Sequence, residues 1–341
     1  MTVRVLVVDD SPFFRRQLCS SLAQNPGIEV VGTAEDGRQA VEKTLALRPD
    51  LITMDYAMPV MDGIHAVRKI MGLRPTPILM FSALTFEGAQ ATLDSLEAGA
   101  LDFLPKNKDA LRGAPGQRNP LHERVLALGR ALPQANHRLR KVVPSTRSDA
   151  QTTRSQPPQL IAIGASTGGP VAVQTLLRAL PARFPVPIAV AVHMPHAFTG
   201  TYAQRLDRDC ALQVKEAQDG DRLEPGSVLI APGAHQMRIE RGRVRISADK
   251  AAQLYAPSVD ELFTTAAAAY SSRVLGIVLT GMGQDGARGA ATLRSAHARV
   301  WAQDEASSVI FGMPAAVARA GLADAVLGLG ELGPSLIEVS R

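Results

Sequence analysis

Short apolar runs alternate with stretches of helical periodicity along most of the chain. Over residues 1–131 the runs Arg4–Val8, Glu29–Thr33, Leu51–Met54, Ile78–Phe81 and Asp102–Leu104 read as strands. Helical patterns lie between them, for example Gly37–Leu47 and Gly88–Ala98, and a last one, Leu121–Leu132, closes the series. Strands that alternate with helices predict an α/β unit with a parallel, doubly wound sheet. The pattern then stops. Pro133 to Gln159 is rich in Pro, Ser, Thr, Gln and Arg and has almost no apolar periodicity, so residues 132–157 are expected to form a flexible, basic linker.

From residue 158 the βα pattern resumes and is expected to give a second α/β domain, residues 158–341, with a mostly parallel sheet. Ile161–Ala165, Pro187–His193, Val228–Ala231 and Val274–Thr280 are strand candidates. Met237–Ser247 looks like a hairpin turning near Arg241-Gly242. Ser258-Val259-Asp260-Glu261 has the form of a capping box ahead of an alanine-rich helix to about Tyr270.

Composition narrows the class. The chain has 341 residues, 46% hydrophobic and 20% charged, which is ordinary for a globular protein with room for two cores. No apolar run approaches the roughly 20 residues of a membrane helix, so no membrane insertion is expected. The first residues run straight into a strand with no signal-peptide pattern, and Cys19 and Cys210 form no C-x-x-C. A cytoplasmic protein is therefore expected. The net charge of +5 fits an acidic protein partner as well as DNA. Aromatics at 4% leave little for base stacking, and no nucleic acid is expected as a partner.

Chemistry collects at the strand ends. Asp9 and Asp10 end the first strand, Asp55 the third and Ser82 the fourth, and Lys106 follows the fifth. Three carboxylates at one edge repel one another unless a hard cation such as Mg²⁺ sits among them. A carboxylate in such a place, with an ammonium and a hydroxyl nearby, can accept a phosphoryl group. Singly, each residue could equally be a helix cap, a turn residue or a surface charge. Together, Val8-Asp9-Asp10-Ser11, Met54-Asp55, Met58-Pro59-Val60-Met61-Asp62-Gly63, Ser82 and Leu104-Pro105-Lys106 resemble the receiver domain of two-component response regulators, which is flavodoxin-like. The resemblance implies Asp55 as the phosphorylated residue. It further implies Asp9, Asp10 and Asp55 as the Mg²⁺ site, Ser82 and Lys106 as phosphate-sensing groups, and Phe103 at a position that is often an aromatic switch.

In the second half, Gly164-Ala165-Ser166-Thr167-Gly168 is a G-x-S-x-G turn between a strand and a helical pattern. The next strand ends on His193, and Asp285 lies in the glycine-rich loop after Val274–Thr280. Serine, histidine and carboxylate are the parts of an activated nucleophile. A metal reading would need His193, His196 and His235 together with Cys210 or a carboxylate. A dinucleotide loop would need G-x-G-x-x-G and an acidic residue where His193 stands. The order Ser, His, Asp also differs from the Ser, Asp, His of α/β-hydrolases and implies a different fold with convergent geometry.

Ile163–Gly169, His193-Met194-Pro195 and Leu279–Gly286 closely resemble the catalytic domain of the chemotaxis protein-glutamate methylesterases, the CheB family. Ala231-Pro232-Gly233, Asp304–Ser308 and Gly312-Met313-Pro314 fit the same pattern. The resemblance implies a phosphorylation-regulated serine hydrolase of bacterial chemotaxis. It would demethylate glutamate 5-O-methyl esters with release of methanol and deamidate glutamines on methyl-accepting chemoreceptors. Ser166, His193 and Asp285 would be catalytic, backbone N–H groups of Thr167 and Met282 would hold the oxyanion, and this site would need no cofactor. The implied partners are the cytoplasmic helices of the chemoreceptors as substrate and a chemotaxis histidine kinase as phosphodonor. A transcriptional regulator would instead carry a helix-turn-helix output. A non-catalytic module would not need Ser166, His193 and Asp285, and a general esterase would turn over free esters.

Overall fold

The inner strands of the two parallel sheets are buried along nearly their whole length, which is what a sheet covered by helices on both faces demands. The computed structural model describes residues 2–83, 85–112, 119–130, 156–248 and 255–341. Contacts divide the chain into two units, Met1–Leu139 and Arg140–Arg341. The expected linker, 132–157, lies almost wholly outside the described residues.

The first unit has strands β1 Val3–Val8, β2 Ile28–Ala34, β3 Leu51–Asp55, β4 Ile78–Ser82 and β5 Asp102–Pro105. Its helices are α1 Pro12–Leu22, α2 Gly37–Leu47, α3 Gly63–Leu73, α4 Phe86–Ala98, α5 Lys108–Arg112 and α6 Pro120–Arg130. The strands pair in parallel in the order β2-β1-β3-β4-β5. The first four helices start on side-chain caps, Ser11, Asp36, Asp62 and Thr85, each accepting a backbone N–H of the first turn.

The second unit continues with β6 Leu160–Ala165, α7 Gly169–Arg178, β7 Ile188–Val192, α8 His196–Asp209, β8 Gln213–Glu216 and β9 Ser227–Ile230. Next come β10 Gln236–Glu240, β11 Arg243–Ser247, α9 Val259–Tyr270, β12 Val274–Val278 and α10 Ala287–Ser295. It ends with β13 Arg299–Gln303, α11 Met313–Arg319, β14 Ala325–Leu327 and α12 Leu329–Val339. Seven parallel strands stand in the order β14-β13-β12-β6-β7-β9-β8, beside the antiparallel hairpin β10-β11. The hairpin turns at Arg241 and Gly242, both at positive φ, as a two-residue turn with right-handed strand twist requires.

Strand order places the chemistry. In the first sheet the chain leaves β1 toward β2, then returns to the other side of β1 with β3. In the second it leaves β6 toward β7, β9 and β8, then returns to the other side of β6 with β12. Where connections diverge in this way, the loops at the strand carboxyl ends part and leave a crevice for ligands. Asp9 and Asp55 flank the first crevice, and Ser166 and Asp285 flank the second.

Helix α9 is the packing hub on that second edge. Its Leu262, Phe263 and Ala266 are buried against Leu160, Ala162 and Val278 of the sheet and Met237 and Ile239 of the hairpin. The expected capping box is half formed. Ser258 Oγ accepts the Glu261 N–H, but the Glu261 carboxylate is drawn away to Arg238 at 2.5 Å, and the Ser258 N–H donates to Gln236. Seating α9 also requires glycine at position 164, because a Cβ there would lie 2.1 Å from Val259 Cγ1. Gly164→Ala should cost about 1–3 kcal/mol by overpacking. The loss should shrink when Val259→Ala is added, so that the pair is non-additive by about 1 kcal/mol or more in urea unfolding. Strict additivity would disprove this packing account.

Candidate active site

Ser166 and His193 are neighbours because β6 and β7 are in register. Ala165 pairs with Val192, and the His193 N–H donates to the Ala165 carbonyl at 3.1 Å. The next residue of each strand therefore stands on the same edge, about 5 Å apart at the backbone. From the other side the Ser166 N–H donates to the Thr280 carbonyl, 3.0 Å, which ties the serine to the loop after β12. Gly281 makes this approach possible: a Cβ there would lie 2.8 Å from Ser166 Cβ and 2.4 Å from Met313 Sδ. Thr280 staples the loops together, its hydroxyl donating to the Thr167 carbonyl at 2.9 Å and accepting the Ile310 N–H at 3.0 Å. Thr280 was not singled out from the sequence, where a strand-end threonine carries no signal of its own.

His193 Nε2 lies 2.8 Å from Asp285 Oδ2, with both side chains almost fully buried. Four more groups point at the same carboxylate: the N–H of Val259 to Oδ2 at 2.8 Å, and the N–H groups of Asp260 and Gly286 and the Ser258 hydroxyl to Oδ1 at 3.0–3.1 Å. Two of them are the first amides of α9, so the charge sits at a helix N-terminus. Burial alone would raise the carboxyl pKa. The bond and charge of His193 and the amides of Asp260 and Val259 outweigh it and hold Asp285 below its ordinary value. With Nε2 engaged, Nδ1 is the ring nitrogen left for the serine. No Ser166–His193 hydrogen bond is present among the described residues, and such bonds are often long before substrate binds.

The rivals for the histidine role sit elsewhere. His196 is exposed at the start of α8, its ring 5.5 Å from that of His235, which lies near the Gly233 carbonyl at 3.0 Å. Among the described residues the one group able to hold a metal is Asp9, Asp10 and Asp55, so the histidine-metal reading has no geometry behind it.

That acidic group forms the first crevice. Its carboxylate oxygens lie within 4.8 Å of one another, Asp9 and Asp55 buried and Asp10 exposed. Lys106 Nζ stands 2.7 Å from Asp9 and 2.6 Å from Asp55. Its backbone N–H donates to the Ser82 carbonyl, which sets it beside that strand end. Burial pushes Asp55 up to about 6, against the pull of Lys106 and with a further push from Asp9, and burial raises Asp9 as well. For Lys106 burial works downward, but its bonds to the two aspartates prevail and raise it. The Ser82 hydroxyl donates to the Gly88 carbonyl at 2.9 Å, and Phe103 is a buried core residue.

The family model for CheB methylesterase matches residues 161–336, and that for the response regulator receiver domain matches residues 5–113. A protein of Pseudomonas aeruginosa named protein-glutamate methylesterase/protein-glutamine glutaminase 1 is 50% identical over 100% of both chains. One of Pseudomonas putida, the protein-glutamate methylesterase/protein-glutamine glutaminase of group 1 operon, is 48% identical over 99% of each. The chain belongs to the CheB methylesterase family. The crystal structure of the CheB methylesterase catalytic domain of Thermotoga maritima aligns with a TM-score of 0.51 at 39% identity, covering 53% of this chain and 98% of that one. The α/β units described above are thus the receiver and catalytic halves of a CheB protein. No described helix is long and apolar enough to cross a membrane.

In this CheB protein Ser258 both caps α9 and donates to Asp285. Ser258→Ala should lower stability by about 1 kcal/mol. It should slow ester hydrolysis less than about tenfold, because three backbone amides still hold the carboxylate. Chemical unfolding and turnover measured on one preparation test both numbers. A loss approaching that of removing Asp285 would mean the hydroxyl carries the site.

Proposed function

We infer that this chain is a phosphorylation-regulated protein-glutamate methylesterase and protein-glutamine glutaminase, with Ser166, His193 and Asp285 as its catalytic residues. The observation that carries the reading is His193 held at 2.8 Å by an aspartate with four further donors, on the strand end next to Ser166. His193 takes the Ser166 proton as Oγ attacks the γ-carbonyl carbon of a methylated glutamate. Backbone N–H groups of Thr167 and Met282 receive the oxyanion, worth a few kcal/mol each in such sites (about 3). The tetrahedral species collapses, and the His193 imidazolium returns its proton to the departing methoxide, giving methanol. Water, deprotonated by His193, then attacks the glutamyl ester and frees Ser166 and glutamate. With glutamine the same imidazolium protonates the leaving nitrogen, which departs as ammonia.

Asp55 is the phosphoryl acceptor in this reading, its ionised oxygen attacking the phosphorus of a phosphohistidine on the kinase as the P–N bond breaks and the imidazole leaves. Lys106, already 2.6 Å from Asp55, pairs with the phosphoryl oxygens, and Ser82 turns from Gly88 to donate to one of them. Asp9, Asp10 and Asp55 would hold Mg²⁺. The fit is good: three carboxylate oxygens converge, and the Lys106 ammonium, 2.7 Å from Asp9 and 2.6 Å from Asp55, offsets one of the three charges. When bound, the ion neutralises charge on the transferred group. The substrates are the cytoplasmic helices of methyl-accepting chemoreceptors, reached from the cytoplasm.

Ser166→Ala and His193→Ala should each cut methanol release from methylated receptor membranes by about a thousandfold or more, since such residues act as a unit. Activity within about tenfold of wild type would refute the assignment. Borohydride trapping after treatment with a phosphodonor should place the label on Asp55, and a label on Asp9 or Asp10 would refute that role.

Ionisation of Asp55 also makes the receiver pH-sensitive. Its folded pKa, about 6, stands above the ordinary 3.8, so its contribution to stability is present below pH 4 and lost as pH rises through 6. At neutral pH the buried charge then costs about 2–3 kcal/mol, and Mg²⁺ relieves it. Calorimetry should show Mg²⁺ raising receiver Tm more at pH 7.5 than at pH 4.5. Equal shifts at both would contradict Asp55 as a ligand.

A further inference from the structure

Among the described residues the His193 side chain makes one hydrogen bond, along its Nε2 edge to Asp285. A single hydrogen bond at Nε2 leaves the imidazole free to rock about that contact, and rocking would swing Nδ1 off the serine. The Tyr255 ring closes off that motion. It lies parallel to the imidazole, with centroids 4.3 Å apart and planes at 11°. Its hydroxyl end reaches the loop after β12, 3.4 Å from where a Cβ on Gly283 would stand. One ring therefore spans the histidine and the loop that presents Met282.

Tyr255 is itself held from below. Gln236, fully buried at the start of β10, donates its side-chain N–H to the Tyr255 carbonyl at 2.7 Å and accepts the Ser258 N–H at 2.8 Å. Ser258 in turn donates to Asp285. The two partners demand opposite ends of one amide, which fixes its orientation. A single buried glutamine thus sets the backbone that carries the ring on the face of His193 and the cap that supports the carboxylate at its edge.

Resting on the serine-hydrolase reading above, we propose that Tyr255 is a positioning residue for His193, holding the imidazole plane by aromatic stacking, with Gln236 as its anchor. An aromatic face also suits the imidazolium formed during each half-reaction. The role needs a flat ring and not the hydroxyl, which separates it from a merely space-filling one.

The test compares Tyr255→Phe, Tyr255→Leu and Gln236→Met in the full chain. Measured are kcat and KM for methanol release from methylated receptor membranes, the rate of Ser166 labelling by a fluorophosphonate, and Tm. Tyr255→Leu should lower kcat and labelling together by about 10–100-fold with KM within about twofold, the size expected for a misaligned base. Tyr255→Phe should restore both to within about threefold of wild type. Gln236→Met should follow Tyr255→Leu in direction, with labelling slowed in protein that still melts cooperatively. A leucine variant as fast as wild type, a phenylalanine variant as slow as leucine, or a rise in KM alone with labelling unchanged would overturn the proposal. Absence of Ser166 labelling in wild type would instead strike the serine-hydrolase reading, and this one with it.

Discussion

A carboxylate buried at the edge of a parallel sheet must either collect donors or surrender its charge, and both halves of this protein are organised around that choice. Asp285 collects donors. The amides of Val259, Asp260 and Gly286, the Ser258 hydroxyl and His193 all converge on it, and its pKa falls despite burial. To supply those amides α9 must start at one place. That placement in turn requires Gly164 beneath Val259, and it lets the Ser258 hydroxyl donate to Asp285 while its oxygen accepts the Glu261 N–H. Asp260 extends the arrangement, accepting the Gly286 and Gly289 N–H groups and so holding the loop that carries Asp285.

Asp55 takes the other course. Apart from the Tyr56 N–H and Lys106, burial leaves its charge poorly supported, and its pKa rises to about 6. The same edge position thus yields two chemistries. A carboxylate saturated with donors is a weak nucleophile and a steady partner for a histidine. One that is short of donors keeps its lone pairs available and gains from any cation or phosphoryl group that arrives.

Much of this was legible in the sequence because fully covered parallel strands are continuous apolar runs, and the candidate site residues stand where such runs stop. Asp9, Asp55, Ser82, Ser166 and His193 all sit at those stops, and the strand limits predicted for them moved by only a residue or two. What stayed hidden was lateral pairing. Tyr255 and His193 are separated by sixty-two positions, and Thr280 reaches Thr167 across 113. No local pattern marks a residue whose partner is set by strand order. The capping box is only half formed for a related reason: its glutamate met Arg238, a hairpin residue twenty-three positions back, and a tertiary ion pair replaced one local bond.

Strand order also accounts for the chain order of the proposed catalytic residues. With β6 at the centre, the serine must come first, the histidine follows on the neighbour β7, and the aspartate can enter only when the chain returns on β12 to the opposite flank. The imidazole then lies between chain segments that meet nowhere else in sequence, so nothing in the β6–β7 unit alone can fix its plane. Fixing it falls to the segment between the hairpin and α9, which supplies Tyr255 for the face and Ser258 for the carboxylate from positions three residues apart. The hairpin therefore belongs to the site: Gln236, its first residue, bonds to both ends of that short segment.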